Sequence, residues 1–222
     1  MAWFQPSFES FFTDLKKNNN RDWFLANKNR YEENVKKPFE EFVAQMIERM
    51  QAYDPECRIQ PKDAIFRIYR DVRFSKDKTP YKTQVSAIIG RGGRKEMAVA
   101  GMYLELGEKH ARVYGDVYQP NKEQLHAIRQ EILYNTQGFK SLVNDNEFKK
   151  YFGEIRGEKN KRLPSEFVEI QEEQPLIANK QFYYYSDLDP SEIIGDTLID
   201  EMFRRYEASA RMRQFLHAPL ND

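Results

Sequence analysis

The sequence predicts one α+β domain over residues 1–222: an antiparallel sheet, a central meander at about 65–118, packed with N-terminal and C-terminal helices. Three observations carry this. Apolar residues recur at helical spacing over the first fifty positions. Between Phe66 and Tyr118 they alternate instead, in short segments joined by turn residues. Regular strand–helix alternation, which a doubly wound parallel sheet requires, is missing.

Taken in order, Phe8, Phe11, Phe12 and Leu15 fall at helical spacing after Ser7, a candidate N-cap. Asn18-Asn19-Asn20 should end that helix, because Asn tolerates the left-handed conformation. A second helix is expected from Asp22 to Lys37, with Trp23, Asn27, Tyr31 and Val35 four apart. Pro38 should open a third, carrying the stripe Phe39, Phe42, Val43, Met46, Ile47 and Met50. Phe66, Ile68, Val72 and Phe74 alternate with Arg67, Tyr69, Asp71 and Arg73, which predicts a first strand over 66–74. Strands are expected next at Tyr81–Ile89, Met97–Leu106 and Ala111–Tyr118, the last two joined by Gly107-Glu-Lys-His110. Asn121 and Gln124 have the spacing of a capping box before Leu125, Ile128 and Ile132. Residues 145–175, interrupted by Gly153, Gly157 and Pro164, read as a surface excursion. Gln181–Tyr185 is a candidate late strand, and Asp189-Pro-Ser-Glu192 starts a final helical region with Leu198, Ile199, Met202, Phe203 and Tyr206.

Composition narrows the class. Aromatic residues make up 14% of the chain and charged residues 32%, which fits a folded, water-soluble protein with a real core. Cys57 is alone, so no intrachain disulfide can form and a reducing compartment is expected. The N-terminus lacks a basic region followed by an apolar core, and no run approaches a membrane span. Cytoplasm, without membrane association, is the expected location.

Charge is concentrated in one place. Between Arg67 and Lys95 nine Lys or Arg stand against Asp71 and Asp77, so this segment carries +7 on a chain of formal charge zero. A local concentration on a neutral protein indicates a positive site rather than a basic surface. On a strand, Arg70 would share the apolar side with Ile68 and Val72, where it needs a partner from elsewhere or a ligand anion. Ser75-Lys-Asp-Lys-Thr-Pro80 is turn chemistry that sets Lys76 and Lys78 at a loop tip. Arg suits bidentate recognition of phosphate or carboxylate, and Lys adds an adjustable charge. The candidate ligand-binding residues are therefore Arg67, Arg70, Arg73 and Lys78, with Tyr81 as a rim hydrogen-bond donor. Asp71 and Asp77 are the candidate catalytic carboxylates, as bases or Mg²⁺ ligands. Two carboxylates among nine cations should stay ionised, so orienting those cations is the favoured role.

The same residues carry a family resemblance. Arg67, Arg70, Asp71, Arg73, Phe74, Asp77, Lys78 and Tyr81 match the pattern Arg-x-x-Arg-Asp-x-Arg-Phe, a short gap, then Asp or Asn, Lys, two residues and Tyr. This resembles the signature of domain of unknown function 2461, a bacterial and fungal family. The similarity extends through Asn18-Asn19, Arg21, Trp23-Phe24, Asn27-Lys28 and Tyr31-Glu32 at one end, and Gly101-Met-Tyr103 and Tyr118-Gln-Pro120 in the middle. It implies no activity, because the family has none assigned.

Other motifs have plainer readings. Gly90-Arg-Gly-Gly-Arg94 is neither a Walker loop nor a dinucleotide fingerprint, and a turn is the simpler account. Ser75-Lys-Asp-Lys78 fits Ser-x-x-Lys, but the partner motifs of acylating enzymes are missing. His110, His126 and His217 lack metal-ligand spacing, so no metal site is expected from them. Mg²⁺ held through water by Asp71, Asp77 and Glu105 is the remaining cofactor reading. Trp23, Asn27 and Tyr31 read as packing, although Asn27 needs hydrogen-bond partners; Tyr183-Tyr-Tyr185 reads as a strand with aromatics on both faces.

The leading expectation is a pocket for a phosphorylated or polycarboxylate small molecule. A Mg²⁺-dependent hydrolase or transferase acting on phosphate esters or nucleic acid is the alternative. Nucleic acid as a mere binding partner ranks lower, because the net charge is zero. In the last alternative, a protein-interaction module, the basic block is a structural ion-pair network.

Overall fold

The computed structural model describes residues 2–96 and 101–220. Helix α1 (Pro6–Lys17) begins with Pro6, whose missing N–H is harmless in a first turn. It buries Phe8, Phe11, Phe12 and Leu15, each worth about 1.5–3 kcal/mol of burial. Gln5, not Ser7, occupies the N-cap, and Asn18 ends the helix at φ −129°, outside the left-handed region. Asn20 caps α2 (Arg21–Ala26) by accepting from the Trp23 amide at 3.0 Å. Helix α3 (Lys28–Tyr31) continues through a π turn, Glu32–Lys36, into α4 (Lys37–Met50). Pro38 therefore opens no separate helix. It sits in the first turn of α4, where the wide turn before it accommodates a residue that has no N–H and crowds the preceding carbonyl. The predicted stripe of α4, from Phe39 to Met50, is buried.

After a short turn, α5 (Pro61–Ala64), come the strands β1 (Gln84–Ile89), β2 (Met102–Gly107) and β3 (His110–Val117). With the late strand β4 (Phe182–Asp187) they form an antiparallel sheet in the order β1-β2-β3-β4. Gly107 pairs with His110, so Glu108 and Lys109 make a two-residue turn, with Lys109 at φ 48°. Residues 97–100 of the expected Met97–Leu106 strand lie outside the described residues.

The strand expected over 66–74 does not form. Ile65 bridges Ala87 and Tyr69 bridges Tyr81, so three residues between the bridges on one side face five on the other. That mismatch cannot hold a continuous ladder, and Pro80 has no amide to contribute. Three backbone bonds remain, from Phe66 N to Ser86 O, Lys82 N to Ile68 O and Arg70 N to Pro80 O. Residues 65–82 are thus a loosely laced arm along the outer edge of β1.

Helix α6 (Lys122–Tyr134) has the predicted capping box, with Asn121 and Gln124 exchanging bonds of 2.8 and 2.9 Å. Helices α7 (Thr136–Val143) and α8 (Asn146–Phe152) follow, then α9 (Ile170–Glu173). The segment read as a surface excursion is in fact part of the core. Phe148, Phe152, Ile155 and Phe167 are buried against α6, Phe182 and Tyr184. Its charged residues lie on the outward sides of short helices, which hid the inward aromatics. Helices α10 (Leu198–Ala208) and α11 (Ala210–His217) complete the described fold.

These layers leave the sheet two-sided. One face sends Val85, Ala87, Leu104, Leu106 and Val113 into the core beneath α1, α4 and α10, and Val117, Phe182 and Tyr184 beneath α6 and α8. The register puts a polar set on the opposite face: Ser86, Glu105, Arg112 and Asp187 in one row, Tyr103, Tyr114 and Tyr185 in the next. Beyond the outer edge of β4, residues 156–160 bond back to 178–183, with Arg156 bridging Tyr183. No helix among the described residues is long and apolar enough to cross a membrane.

Candidate functional site

The basic block divides into an outer and an inner half. In the outer half Arg70 donates to Asp77 and Thr79, so the partner its position demanded lies seven residues along. Arg73 grips Asp71 with two bonds, Nε to Oδ1 at 3.0 Å and Nη2 to Oδ2 at 2.6 Å. Lys78 Nζ donates to the Val72 carbonyl at 2.9 Å. Asp77 also accepts from the Thr79 amide at 2.9 Å, which closes the turn.

These contacts hold both carboxylates low. The Arg73 guanidinium brings Asp71 to about 2, and the Thr79 amide, then Arg70, bring Asp77 to about 2. Both lie below the usual 3.8, so their stabilisation is complete above that value and is lost as pH falls through about 2. We expect the two carboxyl carbons to titrate near 2 by NMR, with the loop resonances shifting together. Titration at the ordinary aspartate value would show that the pairs are not formed in solution.

The root of the arm is pinned differently. Asn19 Nδ2 donates to Tyr81 O at 2.9 Å and Asn19 Oδ1 accepts from Tyr81 N at 3.1 Å, as a neighbouring strand would. The Tyr81 ring, 4% exposed, stacks on Phe24 at 4.0 Å. Tyr81 is therefore packed into the core and not set at a rim. Asn27 reaches neither the sheet nor Arg70; it bonds Trp23 O at 2.9 Å and accepts from Arg30 at 3.1 Å.

From that root, Lys82 reaches the polar face of the sheet, with Arg67 near it. Glu105 is its centre. Its carboxylate accepts from Tyr103 Oη at 2.8 Å and Tyr114 Oη at 3.3 Å, and His110 Nε2 lies 3.1 Å away. Burial works to raise the Glu105 pKa, but the contacts with His110, Tyr103 and Tyr114 outweigh it, and the group stays below its usual value. Burial, with Glu105 alongside, pushes the Tyr103 phenol well above its usual range. Lys82 lies 5.3 Å above the Phe66 ring. Burial lowers its pKa, and Glu105 and Arg67 are near enough to act on it in opposite directions. Further across the face, Arg112 bonds Asp187 at 2.6 and 3.1 Å, and both Arg112 and Arg156 lie over the Tyr185 ring, at 4.0 and 4.2 Å.

Chemically, this is a fixed carboxylate near a half-buried amine, with a guanidinium close to the amine, walled by aromatic rings. Glu105 can accept a proton or hydrogen bond from a bound molecule, and Lys82 and Arg67 can hold its negative charge. Asp71 and Asp77 do not join Glu105: each is engaged with an arginine of the arm. No group of three His, Cys, Asp or Glu able to hold a metal ion occurs among the described residues. Cys57 is buried, which raises its thiol pKa.

A sequence profile for conserved hypothetical proteins, the DUF2461 family, matches residues 7–215. The chain belongs to this family. The DUF2461 match takes in α1, the arm, the whole sheet and nearly all of α11. Among curated proteins none matches the chain. The sequence grouped Glu105 with Asp71 and Asp77, whereas in this DUF2461 fold its partners Tyr103, His110 and Tyr114 lie on its own hairpin. A signal was present: once Gly107 and His110 close a hairpin, Glu105 must face Arg112, with Tyr103 and Tyr114 one row away.

Proposed function

We propose that the chain binds a small anionic molecule at the root of the arm, where Lys82 lies near both Glu105 and Arg67. One observation carries this reading. Arg70, Arg73 and Lys78 are engaged within the arm, whereas the Arg67 guanidinium and the Lys82 ammonium make no hydrogen bond or ion pair among the described residues. Their charge stays available to a ligand. The outer half of the block then serves as scaffold, its ion pairs shaping the loop.

Glu105 refines the ligand class. A bare anion beside it is repelled, so the ligand should carry a hydroxyl or amine next to its phosphate or carboxylate. Sugar phosphates and hydroxy-polycarboxylates satisfy this. Such a group would donate to Glu105 while its anion meets Lys82 and Arg67.

Isothermal titration with glucose 6-phosphate and citrate tests the reading. At least one should bind, and Lys82→Met and Arg67→Gln should each weaken it about tenfold or more, about 1.4 kcal/mol. Arg73→Gln should change affinity less than about twofold, because that guanidinium is already bound to Asp71. No binding by either probe, or a loss in Arg73→Gln equal to that in Lys82→Met, would overturn the assignment.

A further inference from the structure

A second positive site lies at the other end of β1. A cleft of about 1000 Å³ opens between the loop after Ile89 and the C-terminal helix α11, lined among others by Asp54, Arg91, Arg94, Lys95, Glu96 and Arg213. Its volume is at the upper end for small-molecule sites. Six residues of β1 separate it from Lys82, which is roughly 20 Å of strand.

The cations in this cleft are not equivalent. Arg91 is neutralised, with Nε 2.7 Å from Asp54 and Nη1 on Glu56. Arg94 has a different set of partners: Nε donates to Asp63 O at 3.1 Å and Nη2 to Lys62 O at 2.6 Å. Arg213 donates from Nη1 to Tyr206 O at 2.8 Å and Ser209 Oγ at 3.0 Å, with its guanidinium 3.5 Å over the Tyr206 ring. Carbonyls, a hydroxyl and an aromatic ring orient a guanidinium without cancelling its charge. Two arginines are thus held in place and left positive, with N–H groups to spare in their forks. Exposed Lys95 adds a third cation, and Glu96 is the one carboxylate of the lining outside the Arg91 pair.

We propose that this cleft is an anion site for a phosphate-bearing molecule of nucleotide size, gripped by Arg94 and Arg213. Preorganised arginines suit phosphate oxygens, which accept two parallel N–H bonds from one fork. The cleft also offers the Gln124 amide, whose oxygen is engaged by Asn121 N and whose NH₂ is left to donate. This site stands apart from the sheet face and does not depend on the reading given there.

The test is calorimetric titration of pyrophosphate at low salt, in a Lys82→Met/Arg67→Gln background that removes the sheet-face cations. Saturable one-site binding is expected, weakened about tenfold or more by Arg94→Gln and by Arg213→Gln. Arg94 is exposed and bonded to carbonyls, so Arg94→Gln should fold normally even where Arg213→Gln does not. Arg94→Lys should restore part of the affinity, having charge without the fork. Absence of saturable binding in that background, or affinity unchanged in Arg94→Gln, would overturn the proposal.

Discussion

Arg129→Met should destabilise the protein by about 3–5 kcal/mol, which at this size lowers Tm by about 10 °C. Arg129 sits on α6 with 4% of its surface exposed. Its Nε donates to Ile177 O and its Nη2 to Asn179 O, both at 2.9 Å. Burial lowers its pKa, and no carboxylate among the described residues is paired with it. The cation is held by two carbonyls of the turn leading into β4. Methionine fills most of the space but returns neither bond, and two buried carbonyls would be left bare at about 1–3 kcal/mol each. Lys should rescue little, because one ammonium cannot serve both carbonyls in the geometry of a fork. Urea unfolding would measure the loss. A cost under about 1 kcal/mol would mean that water replaces the guanidinium and that this turn is not anchored by α6.

Gly157→Ala should have a comparable cost, about 3 kcal/mol, for a steric reason. A Cβ at Gly157 would lie 2.1 Å from the Gln181 carbonyl oxygen and 3.0 Å from Asn179 Nδ2. The first contact is with backbone, so no side chain can rotate away. Relief requires residues 156–160 to lift from 179–183, breaking the Arg156 N to Tyr183 O bond of 2.7 Å and the Lys180 N to Glu158 O bond of 2.7 Å. Hydrogen exchange provides a local readout. The Arg156 and Lys180 amides should lose protection in the variant while those of β2 and β3 keep theirs. Uniform loss across the sheet would instead mean that the segment unfolds only with the whole molecule.

What was legible in the sequence was what neighbours in the chain decide. The capping box at Asn121 and Gln124, the two-residue turn after Gly107, the stripe of α4 and the late strand at Phe182–Asp187 each depend on a few adjacent side chains. The arm misled because alternation of Phe66, Ile68, Val72 and Phe74 satisfies a strand pattern, whereas the outcome was set by unequal spacing between two distant bridges. Phe74 shows the difference plainly, being 97% exposed at a position the pattern assigned to the core. Nothing near Arg129 in the sequence announces the carbonyls some fifty positions away that hold it. The basic block stood out in the sequence by its charge alone. That Arg70, Arg73 and Lys78 are engaged within the arm while Lys82 turns toward Glu105 depends on rotamers and on β2.

Both outer strands of the sheet carry a covering segment, the arm on β1 and residues 156–160 on β4. An exposed strand edge is a template on which another chain can grow. Here part of each template is already occupied by the protein's own backbone, tied down by Asn19 on one side and fitted through Gly157 on the other. Strand addition by another copy must therefore compete with these segments at Ser86 and Tyr183, where the protein's own backbone already bonds the edge. Conditions that loosen the arm, strong acid among them, should be those under which the protein begins to form fibrils.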